Sequence, residues 1–220
     1  MRYSPKLIRR SRYHYFQAAR HMLDITDCHD LTILQTICLM IVFLQCTAKL
    51  STCYSYLGIA LRSSCRLGLH RHVVNEFNPI EREERKRTFW MIRRLDIYVG
   101  AILGLPNMLS DDDIDQELPI EVSDEYITEN GIIPMPPDTF ALMTACNAHV
   151  RLVRVLQRVV REIYPIKGFN VPEGKLPGDG YSISLSRIWE IEGDLQKWMD
   201  ELPLELRSAD SSEKHISKSV

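Results

Sequence analysis

Apolar residues recur every three or four positions along most of the chain, the spacing that places them on one face of an α-helix. The pattern predicts six helices and gives no convincing strand or repeat. The fold class that follows is all-α, with five or six helices packed on one another. The expected helices cover about 11–24, 30–47, 51–67, 78–103, 138–164 and 182–202.

Three of these helices carry clear boundary or burial signals. The second is apolar almost all round, which predicts a central position. The third is expected to end at Gly68, a natural left-handed C-cap. The fourth begins with Asn78 as N-cap, Pro79 at the first helical position and Glu81 completing a capping box. Its predicted buried stripe consists of Thr88, Ile92, Leu95, Val99 and Ile102.

The last two helices show equally regular stripes. The fifth is expected to begin at Asp138, and His149 on its stripe is interpreted as a core histidine with a hydrogen-bond partner. The predicted buried residues of the fifth helix are Leu142, Ala145, His149, Leu152, Leu156, Val159 and Ile163. Those of the sixth are Ile188, Ile191, Leu195, Trp198 and Leu202.

Charge is nearly balanced over the whole chain but segregated along it. The 220 residues carry a formal net charge of −2, so the chain as a whole is not a basic nucleic-acid binder. Residues 1–12 hold five bases and no acid, a start that fits a mitochondrial presequence or a nuclear import patch. Residues 111–129 hold nine acids and no base. The polar tail 206–220 is expected to be disordered.

The fourth helix concentrates six bases between residues 82 and 94. The acids at 81, 83 and 84 are interleaved with them, which favours a solvent-exposed charged face over a DNA-binding surface. Asp96 lies among apolar residues and should therefore have a partner. Arg93, or a base from the segment 68–72, could supply it. We interpret Asp96 as a structural ion pair or cap rather than a catalytic group.

Candidate metal and redox chemistry is weak. None of the six cysteines forms a C-x-x-C pair, and their apolar surroundings predict buried free thiols. The pair His70 and His72 has no third ligand nearby. The sharpest enzyme hypothesis is a D-D-x-x-D motif that would bind magnesium and a diphosphate, as in all-α terpenoid synthases. Against it, the motif follows a proline in a loop and no second magnesium motif accompanies it. Its carboxylates are Asp111, Asp112 and Asp115.

Several stretches occur in an order that resembles one family: LGLHR at 67–71, ERKRTFW at 84–90, GLP at 104–106, DDDIDQELP at 111–119, and L-x-x-W-x-x-x-L-P ending at Pro203. They resemble the regulatory domain of fungal binuclear zinc-cluster transcription factors, the type named after xylanolytic activators. The resemblance covers about 12–205, with a basic segment 1–11 before it. It implies architectural roles for Gly68, Leu69, His70, Arg71, Arg87, Phe89, Trp90, Leu95, Asp96, Gly104, Pro106, Asp113, Ile114, Asp115, Leu118, Pro119, Leu195, Trp198, Leu202 and Pro203.

The chain departs from the family in two ways. The family pattern has an arginine where Leu105 stands, so an ion pair made by that arginine is not expected here. The family binds DNA through six cysteines that hold two zinc ions near the N-terminus, and this chain contains no such cluster. It also stops soon after Pro203, where the family's domain continues. The chain is therefore expected to be a fragment, an incomplete gene prediction or a protein without its DNA-binding half.

The resemblance implies a non-enzymatic regulatory domain of a nuclear transcription factor that controls transcription by RNA polymerase II. No cofactor is expected in this chain, because the zinc cluster lies outside it. Expected partners are regulator proteins or the transcription machinery, with a homodimer or a small-molecule effector as further options. DNA would be reached only through the missing zinc-cluster domain, and no membrane is involved. The alternatives are a helical adaptor or dimerisation module without DNA binding, and the magnesium enzyme.

Overall fold

A computed structural model describes residues 5–73, 77–137, 139–164 and 184–207, with side chains from residue 13 onward. Six helices dominate this part of the chain, which confirms the predicted all-α class. They are α1 (Pro5–Met22), α2 (Leu31–Cys46), α3 (Leu50–Arg66), α4 (Pro79–Leu103), α5 (Leu142–Ile163) and α6 (Leu185–Asp200). Short 3-10 turns cover Asp111–Asp113, Asp124–Tyr126 and Leu204–Leu206.

The chain divides into two compact units. The first unit comprises residues 1–119 and 129–131, and the second comprises 120–128 and 132–220. The predicted domain bounds of 12 and 205 stay a prediction. The expected disordered tail lies outside the described residues beyond Arg207. The structure also contains a hairpin of two short strands, β1 (Ile127–Thr128) and β2 (Gly131–Ile132), which the helical pattern did not predict.

The core of the first unit lies between α2, α3 and α4. Helix α2 packs against both of the others. Its predicted central position stays a prediction, since α3 and α4 each pack against the other two as well. Phe16 on α1 stacks on Phe43 with ring centroids 4.8 Å apart, which attaches α1 to the same core. The buried apolar residues of α2 are Leu34, Ile37, Cys38, Met40, Ile41 and Leu44.

The end of α3 and the start of α4 follow the predicted signals. Gly68, with a φ of 73°, adopts the left-handed conformation just after α3. At the start of α4 the Asn78 side chain accepts a hydrogen bond from the Glu81 N–H at 2.9 Å, and Pro79 is the first helical residue. Gly104, with a φ of 66°, ends α4 in the same left-handed conformation. Because only glycine adopts this region readily, both turns depend on it.

The second unit is built around the antiparallel contact of α5 and α6. The Trp198 indole N–H of α6 donates to the Ala148 carbonyl of α5 at 2.7 Å. In the described part of this unit α6 packs against α5, and α5 buries a narrow face. The buried residues of α5 are Asn147, Ala148, Val150, Val153 and Ile163.

Several predicted boundaries and buried positions are wrong. Helix α1 begins at Pro5 instead of residue 11, and α5 begins at Leu142 instead of Asp138, which itself lies outside the described residues. His149 is exposed instead of buried. Ile102 is 51% exposed because it lies in the last turn of α4, beyond the core. The predicted stripe of α5 includes Leu142, which is 72% exposed, because periodicity alone does not show how wide a face the neighbouring helix covers.

The cysteines are all free thiols, but only part of the burial prediction holds. Cys28, Cys38 and Cys53 are buried, whereas Cys46 is exposed and the remaining two are partly exposed. Burial raises the pKa of Cys38 to about 12 and that of Cys53 to about 11.

Within the described residues, no helix combines the length and apolar character needed to cross a bilayer.

Candidate functional site

The basic first half of α4 is partly buried. Lys86 is only 7% exposed, and its ammonium group lies 3.0 Å from the carboxylate of Glu117 and 3.5 Å from that of Glu83. Glu83 is buried as well. The prediction of a solvent-exposed charged face is therefore wrong for this pair. The helix turns Lys86 toward the acidic segment, where a carboxylate 31 residues away meets it.

About two turns further along α4, a second basic side chain is fully enclosed. Arg93 Nη1 lies 3.1 Å from Asp96 Oδ2, and Arg93 Nη2 lies 3.0 Å from Asp111 Oδ1. Arg93 thus supplies the partner that Asp96 was expected to have. The same Asp96 oxygen accepts the backbone N–H of Met108 at 3.3 Å. Burial raises the pKa of Asp96, while the neighbouring Arg93 charge and these hydrogen bonds oppose that rise.

The segment 113–119 is fixed between α4 and the residues that follow α3. The Trp90 indole N–H donates to the Glu117 carbonyl at 2.7 Å. The Asp115 N–H donates to the His70 carbonyl at 3.0 Å. The Gln116 side-chain amide donates to the carbonyls of Leu69 and Arg71, both at 2.9 Å. A short acidic loop therefore joins α4 to the segment that follows α3, through one backbone–backbone and three side chain–backbone hydrogen bonds.

The residues named by the family resemblance fall into two groups. Those up to Pro119 lie in the first unit, whereas those from Leu195 to Pro203 lie in the second unit. The buried ones are Leu69, Phe89, Trp90, Leu95, Asp96 and Pro119. The partly exposed ones are Gly68, His70, Arg87, Ile114, Leu118, Trp198, Leu202 and Pro203. The exposed ones are Arg71, Gly104, Pro106, Asp113, Asp115 and Leu195.

The carboxylates of the D-D-x-x-D motif do not converge on one point. Asp111 is engaged by Arg93. The Asp112 carboxylate lies near the Ser110 hydroxyl, and the Asp115 backbone is bonded to His70. Across the described ranges there is no group of three or more His, Cys, Asp or Glu residues placed to hold a metal ion. The motif forms part of a turn capped by Ser110, and its Asp111 forms an ion pair with Arg93.

Glu117, Gln116 and Met108 were not singled out from the sequence, although each fixes the loop. Local patterns do not reveal their partners, because those lie 12 to 47 residues away along the chain. One signal was available. Residues 111–129 contain nine acids and no base, and the fourth helix contains six bases. Because the two segments are complementary in charge, the sequence could have suggested that they pack together.

Comparison with known proteins now identifies the class to which this architecture belongs. The family model described as "Fungal specific transcription factor domain" matches residues 2–207. The chain therefore belongs to the fungal specific transcription factor domain family. It is a regulatory domain of the kind found in fungal transcription factors.

The curated relatives carry the names of transcription regulators. The chain is 42% identical over 204 residues to "Activator of stress genes 1" of Saccharomyces cerevisiae, which covers 91% of this chain and 20% of that protein. It is 39% identical to "Activator of stress genes protein 1" of Candida albicans, covering 91% and 21%. It is 34% identical to "Transcriptional activator protein acu-15" of Neurospora crassa, covering 81% and 18%.

The chain thus spans about a fifth of the length of these relatives. No solved structure matches the chain.

Proposed function

We propose that this chain works in the nucleus as the regulatory domain of a transcription factor and does not bind DNA sequence-specifically by itself. DNA would be reached through a zinc-cluster domain elsewhere in the complete protein. The domain would modulate transcription through regulator proteins, the transcription machinery or a small-molecule effector. The family match over residues 2–207 and the names of the relatives support this proposal.

The observation that carries the proposal is the internal use of the α4 bases. Lys86 and Arg93 are buried and paired with carboxylates. Arg82 donates to the Phe77 carbonyl at 3.2 Å, and Arg85 donates to the Leu67 carbonyl at 2.7 Å. Phosphate-tracking surfaces need a row of cations that are free to face the duplex. Lys86 and Arg93 are thus used inside the fold, and the remaining bases do not form the uninterrupted row of cations that would follow a duplex.

The contacts of the residues that the family resemblance singled out support an architectural role for them as well. Trp90 holds the acidic loop through its indole N–H, and Gly68 and Gly104 terminate the helices on either side. These contacts support a structural role instead of a catalytic one. The relatives, all named as transcription regulators, support a non-enzymatic function in the same direction.

A mobility-shift assay with the purified chain tests the DNA part of the proposal. At about 0.15 M salt, where non-specific binding is already weak, no sequence-specific shift is expected. A specific shift that survives competitor DNA would overturn it.

Affinity capture from nuclear and cytosolic extracts then separates the two non-enzymatic functions. Recovery of transcription regulators supports the regulatory domain, whereas recovery of cytosolic proteins alone would favour a helical adaptor.

A further inference from the structure

A shallow depression in the first unit lies where the start of α4 meets the segment that follows α3. Its empty space, including the part open to solvent, is about 250 Å³. Basic groups dominate the lining, with one aromatic ring and one aliphatic side chain beside them. The lining residues are Arg71, His72, Val73, Phe77, Arg82, Arg85, Lys86 and Gln116.

Two of the arginines are held in fixed positions. The Arg85 guanidinium lies over the Phe77 ring, 4.1 Å from its centroid, and donates to the Leu67 carbonyl at 2.7 Å. The Arg82 guanidinium donates to the Phe77 carbonyl at 3.2 Å. Each bond uses one nitrogen of a group with five N–H donors, so further donors remain available to a ligand. Such fixation lowers the entropic cost of binding.

The lining carries more positive charge than the described carboxylates near it neutralise. The Glu117 carboxylate lies 3.0 Å from Lys86 and 3.8 Å from His72, and its charge also acts on Arg82. Lys86 is paired with Glu83 and Glu117. By contrast, no ion pair within 4 Å joins Arg71, Arg82 or Arg85 to a carboxylate among the described residues. The Arg82 Nε atom is buried and has no hydrogen-bond partner in that part of the structure.

The helix itself sorts the charges that the sequence interleaves. Arg82 and Arg85 are three residues apart and lie on one face of α4, toward the depression. Glu81 and Glu84 alternate with them along the sequence but do not line it. The acids that alternate with these arginines in the sequence therefore cancel only part of their charge at the depression. A local excess of positive charge results there.

We propose that this depression binds a phosphate group carried by a small molecule. Guanidinium groups present planar pairs of donors that match phosphate oxygens, and a phosphate needs little space. The role of that molecule as an effector of the regulatory domain rests on the proposed function, but its binding does not. If anion binding fails, the proposed regulatory function still stands, and the reverse also holds.

Calorimetric titration of the full chain with inorganic phosphate and with pyrophosphate tests the site. Ionic strength is held constant with sodium chloride. We expect saturable binding, tighter for pyrophosphate, that falls about tenfold or more in the double variant Arg71→Gln/Arg82→Gln, because charge-assisted hydrogen bonds are lost. The matched control is Arg62→Gln on α3, an exposed arginine outside the depression, which should bind like the wild type.

A conservative variant keeps the test valid if the double variant unfolds. Arg82→Lys retains the charge but loses the planar fork, so it should keep the fold and bind measurably more weakly. Citrate, a carboxylate anion of similar charge, and a DNA duplex are run as competitors. The proposal is overturned if binding is not saturable, if the double variant binds like the wild type, or if citrate or the duplex binds more tightly than pyrophosphate.

Discussion

Arg93 and Asp96 form an ion pair inside the first unit, with Nη1 and Oδ2 3.1 Å apart and side-chain exposures of 1% and 0%. Both groups come from the same helix, one turn apart. Asp111 and the Met108 N–H add a second carboxylate and a backbone donor from the loop that follows α4. The pair therefore connects the helix to the loop, and each buried charge depends on the other as its partner.

Loss of the arginine alone should be far more damaging than loss of both charges. In Arg93→Met the Asp96 carboxylate stays buried without its cation, which typically costs about 3–5 kcal/mol. The double variant Arg93→Met/Asp96→Asn removes both charges and keeps an acceptor for the Met108 N–H, so it should recover part of that loss. Urea unfolding of the wild type, both single variants and the double variant gives the coupling energy. Additive effects would contradict the buried pair.

The Lys86–Glu117 contact predicts a pH effect on stability. The Lys86 hydrogen bond and charge lower the pKa of Glu117 below its ordinary value of 4.5. A lowered folded-state pKa stabilises the fold above about pH 4.5, and this contribution disappears as the pH falls through the folded pKa. Wild type should therefore exceed Glu117→Gln in thermal midpoint at neutral pH, and the gap should close in acid. Because Glu117 is 63% exposed, the gap should be small.

A pH-independent gap would show that Glu117→Gln acts through something other than the loss of this charge. Glu205→Gln is the matched control, since Glu205 is an exposed glutamate at the far end of the described chain. It should follow the wild type at every pH.

Arg158 holds α5 and α6 together through three carboxylates. It lies 2.9 Å from Glu162 on its own helix and 2.6 Å from Glu190 on α6, and it also bonds Asp194. Removing it leaves three acids close to one another without their shared cation, so Arg158→Gln should destabilise the helix pair measurably. Hydrogen exchange in 185–200 measures the effect. The control is Arg161→Gln, at an exposed arginine that approaches Glu162 at 3.5 Å. It should change exchange much less, and equal effects would contradict the prediction.

The thiols should differ sharply in reactivity. Burial holds the pKa of Cys38 at about 12 and that of Cys53 at about 11, so both stay protonated and shielded at pH 8. Cys46 is exposed and should react with iodoacetamide first. Mass spectrometry of the native protein, with a urea-unfolded control in which every thiol reacts, checks the order. Early labelling of Cys38 would contradict the packing of α2.

Local sequence signals predicted the helices well where one side chain decides the boundary. Asn78 and Pro79 mark the start of α4, and Gly68 marks the end of α3, because each depends on backbone geometry within a few residues. The start of α5 was misplaced because Ala141, its N-cap, makes no side-chain cap bond. Such a start leaves no signature in the sequence.

The site was harder to predict, since its key contacts join residues far apart in sequence. The buried state of Lys86 depends on Glu117, and the fixed loop depends on Gln116, neither of which any local pattern indicated. The sequence suggested Arg93 as one partner for Asp96 because the two are three residues apart on one helix. It could not show that Arg82 and Arg85 face a depression while the neighbouring acids do not, because that depends on where the segment after α3 packs.

Tethering the chain to a promoter tests the central claim most directly. Residues 1–220 are fused to an unrelated DNA-binding domain in a fungal cell, and transcription of a reporter carrying its sites is measured. The fused chain should change the reporter output relative to the DNA-binding domain alone, while the unfused chain should leave it unchanged. Arg93→Met should lose the effect and the exposed-site control Arg62→Gln should keep it. A stable, nuclear fusion that leaves transcription at the level of the DNA-binding domain alone would contradict the account.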